Sequence, residues 1–487
     1  MLCIKKIKLL APKNITSQSI FLTMIKNPKY RELIEQTFDF PQKDFRTEKS
    51  FLYWNGLPLM DIIEKYGSPL RITYLPKISQ QIQKARRLFN SSIANNDYKG
   101  DYNYCYCTKS SHFSFVLEEA LKNKVHLETS SAFDFDLIKK LEEKKKIKKE
   151  NYIICNGFKP QAYIDNIIEA YKSGYKNIIP ILDNLDELEK YNKLNEPMNI
   201  GMRIAAEEEP KYEFYTSRLG IRYNDIVPFY QQKVQNNPNY KLKMLHFFID
   251  TGIKDVNYYW TEFHKALEVY CDLKKVCPEL TAINLGGGMP IKHSLAADFD
   301  YEYMINEIVT QIKNTCNNEG VDEPDIFTEF GSYTVGESGC VIFSVLGVKR
   351  QNDRETWYML DGSLMNNLPD IWGLSQRFIM LPVNKWDDEY KHVNLGGITC
   401  DVGDYYNSDA HINQVYLPNI KQGEKLYLGF FNTGAYQDTL SGYGGIKHCL
   451  LPSPPHILVD EKKKGEFVYK VFAEEQTAES MLKILGY

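Results

Sequence analysis

From about residue 70 to 335 the chain alternates short apolar runs with amphipathic stretches. The runs are RITYL (71–75), YNYCYC (102–107), VHLET (125–129), YIIC (152–155), NIIPIL (177–182), IGMRI (200–204), KMLHFFI (243–249), TAINL (281–285) and DIFTEF (325–330). Between them, HFSFVLEEALKN (112–123), QAYIDNIIEAYKSG (161–174) and YEYMINEIVTQIKNTC (301–316) place apolar residues at i, i+3, i+4 and i+7, the helical period. This alternation predicts βα units and a parallel sheet, hence an α/β fold. Counting from YNYCYC there are eight strands, the number that closes a (β/α)8 TIM-type barrel in about 250 residues. A doubly wound open sheet shares the alternation, and counting alone does not separate the two.

After about residue 340 the pattern changes. VIFSVLGVK (341–349), TWYML (356–360), RFIMLPV (377–383), KLYLGF (425–430) and FVYKVF (467–472) are short strands divided by Gly, Pro and Asn turns, which predicts an antiparallel β domain. LYWNGLPL (52–59) is expected to add a strand to it. The resulting organisation is an extension and lead-in over 1–50, strands given to the β domain over 51–80, the barrel over 81–340 and the β domain proper over 341–487. LEEKKKIKKE (141–150) reads as a solvated helix face and turn.

Composition narrows the function classes. The 487 residues are 43% hydrophobic and 25% charged, a globular balance. With 59 Lys+Arg against 63 Asp+Glu there is no basic surplus to neutralise a phosphate backbone, so nucleic acid is not the expected partner. No run approaches the about 20 apolar residues of a membrane span. Residues 1–23 read as a disordered extension, or as sequence upstream of a start at Met24, because the apolar stretch Ile20–Ile25 is too short for a signal-peptide core. The ten cysteines include a C-x-C at Cys105 and Cys107 but no paired CxxC, and no HExxH occurs, so no metal is expected. A soluble cytoplasmic protein with reduced thiols is the expectation.

Barrel chemistry sits where strands end and βα loops begin. The strand ends here carry Lys109, Glu128 with Ser130, Asn156-Gly157, Arg203, His246 with Phe248, Asp250 and Thr251, Gly286-Gly287-Gly288, and Glu329-Phe330-Gly331-Ser332. Each has an ordinary reading: a solvated lysine, a glycine turn, an ion-pair partner. Together they place a lysine, two glutamates and a triple glycine at one mouth. Cys105, Cys107 and Lys109 alternate onto one strand face, where desolvation would lower the amine's pKa and make it a nucleophile. A glycine loop before a helix can close backbone N–H groups on a phosphate. A lysine, a phosphate cradle and an acid for a ring nitrogen suit pyridoxal 5′-phosphate.

The ordered segments YCTK (106–109), LGGGMP (285–290), TEFG (328–331), TCD (399–401) and GAY (434–436) resemble the fold-type III pyridoxal-phosphate decarboxylases, over roughly residues 51–487. ICNGFKP (154–160), SRLG (217–220), LPDIWG (368–373) and EEQTAESMLKILGY (474–487) look most like the biosynthetic arginine decarboxylases among them. The resemblance implies Lys109 as the Schiff-base lysine and Glu329 as partner of the pyridine nitrogen. It implies Gly286, Gly287 and Gly288 at the phosphate with Thr251, Gly331 and Tyr436 beside them, and Glu128, Arg203 and His246 near the cofactor. It also implies a homodimer in which Cys400 and Asp401 reach across the interface to the substrate. The chain departs from the family pattern twice: Phe248 stands where a ring-stacking histidine is usual, and Ser332 where an arginine usually follows the acid. A phenyl face still stacks.

A carboxylate at the ring nitrogen favours decarboxylation over the racemase chemistry of the same fold, because a protonated ring is the stronger electron sink. Cys400 is then a candidate proton donor, against the commoner fate of a buried core thiol. In TCDVGDYY (399–406), Asp401 and Asp404 could bind a guanidinium bidentately or could simply be turn residues. Asp361 in YMLDGS matches an acidic substrate position of ornithine decarboxylases. The expectation is decarboxylation of L-arginine to agmatine, with ornithine, lysine or diaminopimelate as alternatives and a non-catalytic regulator of this fold as the reading from another class.

Overall fold

The computed structural model describes residues 40–406 and 415–487, apart from 195, 208–216, 250, 251 and 255. The expectations for residues 1–23, Asp250 and Thr251 therefore lie outside the described residues. The chain enters through β1 (Phe45–Glu48), β2 (Phe51–Trp54) and β3 (Leu57–Pro58), an antiparallel three-stranded sheet, and continues into β4 (Leu70–Tyr74).

The eight expected strands then follow: β5 (Tyr102–Cys107), β6 (His126–Thr129), β7 (Ile153–Cys155), β8 (Ile178–Leu182), β9 (Met198–Arg203), β10 (Tyr240–His246), β11 (Ala282–Asn284) and β12 (Asp325–Phe330). They pair in parallel and close, β12 returning to β5 with Glu329 opposite Cys105. The open-sheet alternative is thereby removed. These strands are buried on both faces, which is why they read as nearly continuous apolar runs. Outward residues such as Tyr104, Leu127 and Ile153 pack under helices Ser114–Lys122, Gln161–Lys172 and Tyr301–Glu319, the three segments whose period predicted them. Lys144 and Lys146 meet Glu118 on the surface, so the basic run over 141–150 is a solvated helix end and turn.

The second domain holds β13 (Gly339–Arg350), β14 (Thr356–Leu360), β15 (Ile379–Pro382), β16 (Tyr390–Gly396), β17 (Val415–Pro418), β18 (Tyr427–Phe431), β19 (His456–Lys463) and β20 (Glu466–Ala473). Its nine-stranded sheet runs β17-β16-β14-β13-β4-β19-β20, with β18 joining β13 to β15. The sheet is mixed, not wholly antiparallel, because β14 with β16 and β4 with β19 are parallel pairs. Strand β4 is the one lent from before the barrel. Residues 52–59 form their own small sheet, although Leu52, Trp54, Leu57 and Leu59 share the core of β13 and β18. Strands β16, β17 and β19 were not foreseen; HILVDEKK, for one, is apolar only in its first half, the half that is buried.

The two domains meet at His456. Its ring is buried, 2.8 Å from the Thr73 hydroxyl of β4, and edge-on to Phe113 and Phe115 of the barrel side and Phe472 of β20.

Candidate active site

Five barrel strands make the same step from apolar to polar. Cys105, Ile154, Met244, Ala282 and Phe327 pack together with Ile179 and Ile181 inside the barrel. Two residues further on, along the same face, stand Cys107, Asn156, His246, Asn284 and Glu329. The apolar layer closes the bottom of the barrel, and the polar layer above it forms the mouth. All five polar-layer residues are buried.

Glu329 is the most connected of them. Its Oε2 lies 3.1 Å from His246 Nε2 and accepts from Asn156 Nδ2 at 2.9 Å, while Oε1 accepts from Asn284 Nδ2 at 2.7 Å. Burial alone would push this carboxyl up, but His246, Lys109 and Asn284 outweigh it and hold the group below the usual glutamate value. Glu329 is thus a carboxylate at neutral pH, aimed by three side chains from β7, β10 and β11. Asn156 also donates to Glu128 Oε1 at 3.0 Å and so ties the two acids together.

Lys109 sits on a 3-10 turn, Thr108–Ser110, at the end of β5. Its Nζ is 3.4 Å from both oxygens of Glu128, which is fully buried. The expected downward shift of this amine is reversed. Burial lowers it, but Cys107, Glu128, Tyr436 and Glu329 together carry it well above the usual lysine value. Burial pushes the Cys107 thiol and the Tyr436 phenol up and leaves both neutral. The amine is an ammonium, held at the mouth beside Glu128.

The triple glycine lies between β11 and β12. A Cβ at Gly287 would stand 2.8 Å from the Glu329 carbonyl oxygen, and one at Gly286 would stand 2.7 Å from Phe248 Cδ2. Gly286 also has φ +62°, a backbone that side chains rarely adopt. At Gly288 a Cβ would meet Gly252 Cα at 2.8 Å, so two loops approach with backbone against backbone. Gly331 does the same beside the lysine, where a Cβ would be 2.9 Å from that of Ser110. Phe248 is half-buried against Gly286, with the buried Arg203 guanidinium 5.4 Å from its ring centre. Tyr436 comes from the β domain, its backbone N–H donating to Ser110 O at 2.8 Å.

The substrate-side residues divide differently. Cys400 and Asp401 are exposed, and no contact joins them to Lys109 within this chain. Cys400 is not a core thiol. Its Sγ lies 3.6 Å from Cys449 Sγ, which raises its pKa and leaves it protonated at neutral pH. Asp404 and Asp361 both have partners within this chain. Asp404 is buried, and its carboxylate accepts from Met365 N, Thr399 N and Thr399 Oγ1 at 3.1, 3.1 and 2.7 Å. Asp361 accepts from Ser68 Oγ and Ser344 Oγ, both at 2.6 Å, and from Ser344 N at 2.9 Å, a structural acid of the second sheet. Asn284 was missed as a site residue, although it stands two places beyond inward-facing Ala282 as Glu329 stands beyond Phe327.

The mouth fits pyridoxal 5′-phosphate. It offers an amine, an ionised acid, and a glycine loop in which side chains have no room. Two buried polar atoms, His246 Nδ1 and Asn156 Oδ1, have no hydrogen-bond partner among the described residues and remain for a ligand. Known proteins agree. Biosynthetic arginine decarboxylase of Trichlorobacter lovleyi is 26% identical, with 88% of this chain and 85% of the relative covered. The crystal structure of biosynthetic arginine decarboxylase from Campylobacter jejuni superposes with a TM-score of 0.78 at 21% identity, over 94% of this chain and 90% of that one. Diaminopimelate decarboxylase from M. jannaschii gives 0.76 at 18%, over 91% and 97%. Residues 77–336, more than half of the chain, match the pyridoxal-binding domain of pyridoxal-dependent decarboxylases, and the chain belongs to that family.

Proposed function

We propose that this enzyme decarboxylates L-arginine to agmatine and CO2, the entry to polyamine synthesis, as a cytoplasmic homodimer. The observation that carries a decarboxylase reading is the ionised Glu329, held by His246, Asn156 and Asn284. Bound at the mouth, pyridoxal 5′-phosphate supplies the sink for the electron pair that departing CO2 leaves behind. Lys109 would hold it through its amine, which Glu128 positions. Glu329 would stand as the acid for its ring nitrogen. Phe248 would offer a ring face, backed by Arg203, while Gly286, Gly287 and Gly288 would present backbone to the phosphate, with Gly331 and Tyr436 beside Lys109's turn.

Cys400, protonated at neutral pH, delivers a proton to the substrate carbon after CO2 leaves, and Asp401 meets the far, cationic end of the substrate. Both are exposed on the β domain, which suits residues that complete a second copy's site. Among the described residues no helix is long and apolar enough to cross a membrane. The preference for arginine rests on the names of the relatives; the fold is shared with diaminopimelate decarboxylases and does not choose. Asp361, the residue that kept ornithine open, is spent on Ser68 and Ser344. The test is CO2 release from purified holoenzyme with arginine, ornithine, lysine and diaminopimelate. Agmatine is expected as the dominant product, and faster turnover of any of the other three would remove the arginine assignment.

A further inference from the structure

Cys400 has neighbours that its proposed role does not require. His448 and Cys449 come from a loop after β18, and one ligand atom from each of Cys400, His448 and Cys449 lies within 4.8 Å of the others. All three residues are exposed. The two sulphurs stand 3.6 Å apart. Two thiolates bound to one zinc ion, each about 2.3 Å from it at a tetrahedral angle, stand about 3.8 Å apart. The spacing is therefore already that of a zinc-bound pair, with an imidazole as third ligand.

The loop is also held in this geometry. Asn366 Nδ2 donates to the carbonyl of His448 at 2.9 Å, and buried Lys447 donates back to the carbonyl of Asn366 at 3.1 Å. Cys449 keeps φ +58°, a left-handed backbone unusual for a residue with a side chain. The donor set decides the class of ion. Two thiols and an imidazole, with no carboxylate among the three, suit a soft or borderline d10 cation and not Mg2+ or Ca2+. Water would complete a tetrahedron.

We propose that Cys400, His448 and Cys449 form a Zn2+ site, and that metal bound there withdraws the Cys400 thiol from proton donation and reversibly silences the enzyme. Binding displaces the two thiol protons to solvent and leaves both sulphurs as metal-bound thiolates. The inhibitory half rests on the reading of Cys400 as proton donor; the binding half does not.

The experiment uses holoenzyme under reducing conditions, with Co2+ as a spectroscopic stand-in for Zn2+. Wild type is expected to take up one Co2+ per chain with visible d–d bands and thiolate-to-metal charge transfer, and Zn2+ to displace it. Cys449→Ser and His448→Ala, both at exposed positions, should keep metal-free activity and lose at least about tenfold in Zn2+ affinity. Stoichiometric Zn2+ should lower wild-type turnover at least about tenfold, a chelator should restore it, and Cys449→Ser should be insensitive. Absence of thiolate bands in wild type, or unchanged bands in Cys449→Ser, overturns the site. Full metal binding with undiminished turnover overturns the inhibition and the proton-donor role of Cys400, while the arginine assignment stands or falls by product analysis without metal.

Discussion

The barrel mouth and the loop around Cys400 are both rich in acids and thiols, and they are built in opposite ways. At the mouth the acids and amides are buried, with the Lys109 side chain half exposed above them, and each group is aimed by a partner from another strand end of the barrel: Glu329 by His246, Asn156 and Asn284, Lys109 by Glu128. In the 399–404 loop the buried acid, Asp404, is spent on Thr399 and on the backbone of Met365, and the residues of chemical interest, Cys400 and Asp401, stand in solvent. A preorganised buried site can act on its own strands' rigidity. An exposed thiol can act only when something is brought to it, whether a second copy of the chain or a metal ion.

The largest expected effect belongs to the mouth. Lys109→Ala removes the amine beside Glu128 and should cut turnover by at least about a thousandfold, with loss of the visible absorption of lysine-bound cofactor. Retained colour and activity would move the cofactor elsewhere and dissolve the contrast between the two regions. Next is Glu329→Gln, which removes the negative charge at nearly constant volume while leaving an oxygen for Asn284. A kcat lower by about a hundredfold or more is expected, with KM little changed. Undiminished kcat would reduce the Glu329 network to a structural one.

The difference between the regions also governs what a sequence reveals. Barrel strands are buried on both faces, so YNYCYC and DIFTEF stand out as apolar runs, and the period of two carries the eye from Cys105 to Lys109 and from Phe327 to Glu329. Asn284 escaped because an asparagine before glycines reads as a turn. The fall in the Lys109 amine's pKa was expected from burial alone, since a linear sequence does not show that two carboxylates converge on it. In the loop no period operates. Nothing in TCDVGDYY says which way Asp404 points, and a sequence separation of 49 between Cys400 and Cys449 hides a thiol pair that only the folded chain displays. Strand β19 was missed for a related reason: its charged half is the exposed edge.

A pH experiment probes the seam between the domains. Burial, with Arg71 nearby, lowers the His456 pKa to about 3 from its usual 6.5. Below pH 6.5 the unfolded chain takes up a proton that folded His456 refuses, so the unfolded state binds more protons and stability falls as pH falls, until about pH 3. The expected slope from this residue is about 1.4 kcal/mol per pH unit. Chemical denaturation of wild type and His456→Gln between pH 6.5 and 4 should show the variant's slope flatter by one proton. Equal slopes would mean that water reaches the seam and that the imidazole is not sealed between Phe113, Phe115 and Phe472.

The smallest effect is the most direct test of the loop. Asp404→Asn replaces one accepting oxygen by an amide, so one of the donors Met365 N, Thr399 N and Thr399 Oγ1 loses its charged partner in a buried setting. The amide's new N–H groups face a pocket with no room to turn, since a Cβ built on Gly397 would lie only 2.3 Å from both Asp404 oxygens. A loss of about 1–3 kcal/mol of stability is expected, read as a lower denaturation midpoint. A guanidinium clamp predicts something else: a drop in kcat/KM larger for arginine than for ornithine, because only the planar cation uses both arms of a carboxylate pair. The closed loop predicts that the arginine-to-ornithine ratio stays the same while the midpoint falls. A changed ratio at constant stability would return Asp404 to the substrate pocket and make the 399–404 loop a second preorganised region rather than an exposed one.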